Sequence, residues 1–181
     1  MKLQNSFKEF CKQNKFEVNS QQSEIIDLLD SFFNYKKTIM GRLFKKKEKL
    51  CFYLYGKVGV GKTMLLNFVY DRLKIKKKKQ HFNEFMISFH DFRHIKKDNN
   101  TIRAFVKKLK KKYELIYLDE FQVTNIVDAM ILGKLFEVIF EENIKIIITT
   151  NTKLNDLYKD GLQRDQFLPF ISIIDKFSIK K

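Results

Sequence analysis

G-K-V-G-V-G-K-T, formed by Gly56, Lys57, Val58, Gly59, Val60, Gly61, Lys62 and Thr63, constrains this chain more than any other stretch. It matches the phosphate-binding pattern G-x-x-x-x-G-K-[ST]. At this chain's frequencies of Gly, Lys and Ser plus Thr, roughly 0.003 accidental matches are expected. The octapeptide follows an apolar and aromatic run, L-C-F-Y-L-Y at 50–55, and precedes a helical pattern at 62–73. A strand feeding such a loop and then a helix is the context in which the motif works. Gly59 and Gly61 let the backbone close around phosphate oxygens, with amide N–H groups and the next helix's N-terminus facing the anion. Lys62 would reach the β and γ phosphates, and Thr63 would offer its hydroxyl to magnesium.

The rest of the chain alternates strand and helix signals. Apolar residues at helical spacing predict a helix over 20–35 through Ile25, Ile26, Leu28, Leu29, Phe32 and Phe33. A second strand is expected at 82–86, then helices at 88–97 and 101–112 separated by Asp98, Asn99 and Asn100. Further strands are expected at 115–118 and 144–148 around a helix at 126–142, with helical stretches at 153–159 and 163–175 and the beginning of a fifth strand before Lys181. Strands joined by helices of this length predict an α/β fold whose parallel sheet is covered on both faces. No repeat or Gly/Pro/Ser linker divides the chain. It reads as one domain, with a helical segment over 1–49 leading into a core over 50–181.

Phosphate chemistry needs a metal-directed acid and a base as well as a loop. L-I-Y-L-D-E at 115–120 delivers two acids from a strand end. Asp119 would hold magnesium, directly or through water, and Glu120 would orient and polarise the attacking water. The bland alternative is a strand ending in a polar turn. Asn151, after I-I-I-T-T at 146–150, could touch the γ-phosphate or the attacking water; a helix N-cap is its alternative. Arg164 is one of five arginines beside 31 lysines. A guanidinium offered to a neighbouring subunit's γ-phosphate would be an arginine finger, against the alternative of a surface ion pair. His90 and His94 stand four apart, but the Glu of H-E-x-x-H and a third ligand are missing, so no zinc site is expected.

The net charge of +15 invites a polyanionic partner. Yet Lys, Ile, Phe and Asn are abundant while Ala occurs twice and Pro once. That pattern follows A/T-rich codons, and charge alone defines no site. The lysine runs at 45–47, 76–79 and 107–112 read as solvated rims. Cys11 and Cys51 fit no metal or redox spacing and read as reduced thiols. The best apolar run, 129–140, is broken by Lys134 and Glu137, and no targeting signal is visible; a soluble cytoplasmic protein is expected.

At this point the sequence resembles the ZapE family of AAA-type ATPases, which comprises a bacterial cell-division ATPase and mitochondrial relatives. The likeness runs through L-Y-G-K-V-G-V-G-K-T-M-L at 54–65, H-F-N-E-F-M at 81–86 with His90, and D-E-F-Q-V-T-N-I-V-D-A-M-I-L at 119–132. It continues in L-F-E at 135–137 and L-Y-K-D-G-L-Q-R-D-Q-F-L-P-F-I at 157–171, with Gln22 matching ahead of the loop. Asn83 and Asn125 depart from the family's usual His and Asp.

The resemblance implies an AAA core using ATP and Mg2+, ring-like self-assembly, and protein clients at the division machinery or inner membrane. By position, Lys62 and Thr63 become the phosphate and magnesium residues, Asp119 and Glu120 the second acidic motif, Asn151 the polar sensor and Arg164 the finger. The family continues with a fifth strand and a helical lid, which are expected to be missing here; the partner is expected to be further copies in a ring or a complementing chain that supplies the lid. A nucleotide- or partner-binding module without turnover is one alternative. A DNA-associated AAA protein similar to helicase loaders is another, although the block after Glu120 is unlike a loader.

Overall fold

A computed structural model describes residues 3–34, 48–96 and 100–181. The expected lysine run at 45–47, the turn residues Asp98 and Asn99, and the helix ends at Tyr35 and Lys97 lie outside them. In chain order the elements are α1 (Leu3–Gln13), α2 (Ser20–Asn34), β1 (Cys51–Tyr55), α3 (Lys62–Arg72), β2 (Lys77–His81), α4 (Phe82–Ile95) and α5 (Thr101–Lys112). They continue with β3 (Leu115–Asp119), α6 (Ile126–Glu141), β4 (Lys145–Thr150), α7 (Leu168–Phe177) and β5 (Ser178–Lys180), with short 3₁₀ turns at Leu154–Asp156 and Arg164–Gln166.

The strands form one sheet in the order β2-β3-β4-β1-β5, and every pairing is parallel. Alternate residues of the central strands face opposite sides, as the period of two requires. Phe52, Leu54, Leu115, Tyr117 and Ile147 pack with Phe7, Ile26, Leu29, Leu66 and Val69 from α1, α2 and α3. Cys51, Tyr53, Ile116, Leu118, Ile146 and Ile148 pack with α4, α5, α6 and α7. Two-sided burial explains why β1, β3 and β4 read as continuous apolar runs instead of alternating ones.

The structure departs from several expectations. The apolar stretch 82–86 is the first turn of α4, and β2 is the preceding K-K-K-Q-H. His81 and Glu84 form a capping box: the Glu84 carboxylate accepts from the His81 N–H at 3.1 Å, and the His81 side chain accepts from the N3 amide. As an edge strand, β2 tolerates lysines because their stems lie on apolar surface while their ammoniums find partners. Within the run at 76–79, Lys77, Lys78 and Lys79 are half-buried on the strand and form no solvated rim, while Lys76 is exposed. Lys77 donates to the carbonyls of Leu73 (2.8 Å) and Tyr70, closing the C-terminal end of α3.

A further correction concerns the fifth strand, whose beginning is expected before Lys181 but which the resemblance places outside the chain. It is present as three residues, with Cys51, Phe52 and Tyr53 beside Ser178, Ile179 and Lys180. Its backbone pairing extends past the strand, since Lys181 donates to the Tyr53 carbonyl and Tyr55 to that of Lys181. The expected helices at 153–159 and 163–175 are also shorter: two 3₁₀ turns stand there, and α7 starts at Leu168 with Pro169 in its first turn. The N-terminal segment contains α1, which buries Phe7 and Cys11 against α3 through the Phe7–Phe68 ring pair.

Candidate nucleotide site

The C-terminal ends of β1, β3 and β4 open onto one cleft, of about 600 Å³, where ligands of open α/β sheets bind. Val58, Gly59, Gly61, Lys62, Thr63, Asp119, Glu120 and Asn151 line it, together with Phe121, Gln122, Thr149 and Thr150. The topology thus brings the loop, both acids and Asn151 together from three strands. A second cleft of similar volume lies at the other end of the sheet, around Leu50 and Phe177.

Gly59 and Gly61 have φ of +84° and +85°, backbone that L side chains rarely adopt. Nothing lies within 4 Å of a Cβ placed on Gly59, while one on Gly61 would come within 3.2 Å of the Gln22 amide. Gln22 thus packs the outside of the loop from the head of α2. The Lys62 ammonium folds back and donates to the carbonyls of Gly56 (2.6 Å) and Lys57 (2.8 Å) and to Asn151 Oδ1 (3.1 Å). Burial lowers its pKa from the usual lysine value, and the nearby Asp119 carboxylate partly opposes the shift. The Asn151 side chain caps no α-helix and faces the loop lysine.

Asp119 is 6% exposed. Its Oδ1 accepts from the Thr149 hydroxyl and from the Glu120 N–H at 3.2 Å, so one oxygen is fixed by neutral donors. Its Oδ2 lies 3.4 Å from Lys79 Nζ. Glu120 has φ of +53°, a left-handed residue at the strand end that turns its side chain out. That side chain is 80% exposed in the cleft, 3.6 Å from His81 Nδ1. The next residue, Phe121, donates its N–H to the Thr149 carbonyl, meets Phe82 at a tilt and stacks on Phe170, so the backbone on both sides of Glu120 is held.

These residues fit a hard divalent cation. The Thr63 hydroxyl and Asp119 carboxylate are oxygen donors in one cleft, the chemistry that Mg2+ selects. Beneath them the buried Tyr117 hydroxyl has no hydrogen-bond partner of good geometry among the described residues, although Thr149, Asp119 and Thr63 lie near it. Burial, and then the Asp119 charge, push its pKa up.

Other expected residues are placed elsewhere. Arg164 is not part of the cleft lining; its guanidinium donates to the carbonyls of Asn155 (2.7 Å) and Lys159 (3.4 Å). His90 bonds Asp128 at 2.7 Å, and Asp128 in turn is held by Asn125, which caps α6. The pair thus joins α4 to α6. Sequence reasoning missed Lys79, His81, Tyr117, Thr149 and Thr150. The first two become visible only when K-K-K-Q-H is read as a strand, which places Lys77, Lys79 and His81 on one face.

The model of the AFG1-like ATPase family matches residues 4–179. Lactation elevated protein 1 homolog B of Danio rerio is 38% identical over 139 residues, 70% of this chain and 28% of that protein. Cell division protein ZapE of Escherichia coli K12 is 33% identical over 143 residues, 75% of this chain and 38% of ZapE. The chain thus spans well under half the length of these relatives. Among solved structures, that of the DnaC helicase loader superposes with a TM-score of 0.56 at 17% identity, covering 90% of each chain.

Proposed function

Since the chain belongs to the AFG1-like ATPase family, we propose that it binds ATP in the cleft between residues 56–63 and the ends of β3 and β4, and hydrolyses it. The observation that carries this reading is the convergence of Lys62, Thr63, Asp119, Glu120 and Asn151 on one opening from three separate strands. In this reading the loop amides and Lys62 hold the β and γ phosphates. A magnesium ion held by Thr63 and Asp119 would neutralise charge on those phosphates. Glu120 accepts a proton from a water aligned on the γ-phosphorus; the water oxygen bonds to phosphorus as the bond to the β–γ bridging oxygen breaks, releasing ADP. Asn151 orients the γ-phosphate or that water. Arg164, whose guanidinium donates to the Asn155 and Lys159 carbonyls among the described residues, would act in a ring as a finger on the neighbour's phosphate.

The relatives support a wider role. One relative is a cell division protein, and in this proposal ATP turnover by the present chain would remodel protein clients at the division machinery or inner membrane, from the cytoplasm. No helix among the described residues is long and apolar enough to cross a membrane. Glu120→Gln removes the proton acceptor and keeps the shape. It is expected to lower phosphate release at least about a hundredfold while a fluorescent ATP analogue binds as in the wild type. Undiminished turnover in that variant would remove Glu120 from the mechanism.

A further inference from the structure

The lysines of β2 meet the acidic motif from behind. In the β2–β3 register Lys79 stands opposite Tyr117 and His81 opposite Asp119. Lys79 Nζ is 3.4 Å from Asp119 Oδ2, donates to Asn67 Oδ1 at 2.8 Å and lies 5.0 Å from the Tyr117 ring centre. Asn67 stands one helical turn after Thr63 on α3, so this one ammonium ties the helix of the phosphate loop to the strand of the acidic motif. Its side chain is 30% exposed, and it reaches Asp119 from the sheet edge, outside the cleft lining.

The geometry points to Lys79 as a built-in counter-ion of Asp119, a positioning residue that sets the Mg2+ concentration the site requires. The inference rests on the ATP reading above. Two consequences of a fixed positive charge beside a metal-directed carboxylate decide the sign. The ammonium compensates part of the Asp119 charge, and it repels an incoming divalent cation across a partly dry region. The orientation of Asp119 does not depend on Lys79, because Thr149 and the Glu120 N–H hold its other oxygen. Removing the charge therefore leaves the carboxylate aimed as before and makes it a stronger cation site. A nucleotide without metal, being an anion, loses a nearby attraction by the same change. The two effects run in opposite directions, which loss of structure alone cannot produce.

The test titrates Mg2+ at fixed ionic strength against the binding of a fluorescent ADP analogue, and separately measures that analogue's affinity in EDTA. Lys79→Met and the polar neutral Lys79→Gln are each expected to lower the Mg2+ midpoint about tenfold, with affinity in EDTA equal to or below wild type. Lys79→Arg keeps the charge and stays near wild type. Lys77→Met, which removes a charge from the same strand face where it caps α3, leaves the midpoint unchanged. A midpoint in both neutral variants that equals or exceeds wild type overturns the inference, as does an equal shift in Lys77→Met. Wild-type protein that binds no nucleotide at any Mg2+ concentration overturns the ATP reading itself and the inference with it.

Discussion

The Lys62 ammonium is held by two loop carbonyls and by Asn151, and burial makes its charged form less favourable than in free lysine. Its proton is therefore lost at a lower pH than an exposed lysine's. Phosphate oxygens favour the charged form, so nucleotide binding raises this pKa and draws in a proton on the alkaline side. The sign follows: nucleotide affinity is constant while Lys62 is charged and falls as pH rises through the lowered pKa. A pH series of nucleotide titrations checks this, and an affinity that stays flat up to the range of ordinary lysine titration contradicts it. At this scale the sequence was informative where a residue acts through a motif, as for Gly59, Lys62 and Asp119. It was uninformative for Tyr117 and Lys79, whose significance arises from strand register and not from any local pattern.

At the scale of elements, the segment around Glu120 is held by an aromatic cluster built from distant parts of the chain. Phe121 stacks on Phe170 with ring centres 5.4 Å apart and planes 5° apart, while Phe136 meets Phe170 edge-on at 5.0 Å and Phe167 lies 5.1 Å from it. Phe170 is fully buried. Phe170→Ala is expected to cost about 3–5 kcal/mol in unfolding free energy and to weaken turnover in the fraction still folded, because Phe121 loses its stacking partner next to Glu120. Denaturant unfolding and phosphate release measure the two effects; a loss below about 1 kcal/mol would show that the cluster does not hold this segment. The F-L-P-F block at 167–170 was visible in the sequence as part of a resemblance, but its physical role was not. Likewise β1, β3, β4 and the helices α3, α5 and α6 were legible from apolar runs and helical spacing. The strand β2 was not, because its lysines satisfy themselves on α3 and Asp119, and α4 begins where the apolar residues do, behind a capping box that uses the atypical His81.

For the whole molecule, the charge of +15 is partly internal. Besides Lys77 and Lys79, Lys145 donates to the Phe32 carbonyl at 2.6 Å, lies 3.1 Å from Glu48 and sits over the Phe32 ring. Lysine excess here fastens helices to the sheet as well as covering its surface. The parallel sheet with helices on both faces was legible as an α/β pattern, whereas the order β2-β3-β4-β1-β5 was not, since strand order depends on which crossovers pack and not on local sequence. That order sets β4 between β1 and β3, so the loop after β1, the two acids after β3 and Asn151 after β4 share one cleft. In the proposed function this cleft turns ATP over. Steady-state phosphate release from ATP in Mg2+, measured for the wild type and for Lys62→Ala, tests it most directly. Wild-type turnover is expected to be abolished by EDTA and reduced at least about tenfold by Lys62→Ala, from loss of a charge-assisted phosphate contact. Wild-type release no greater than that of Lys62→Ala would contradict it and leave a binding module in its place.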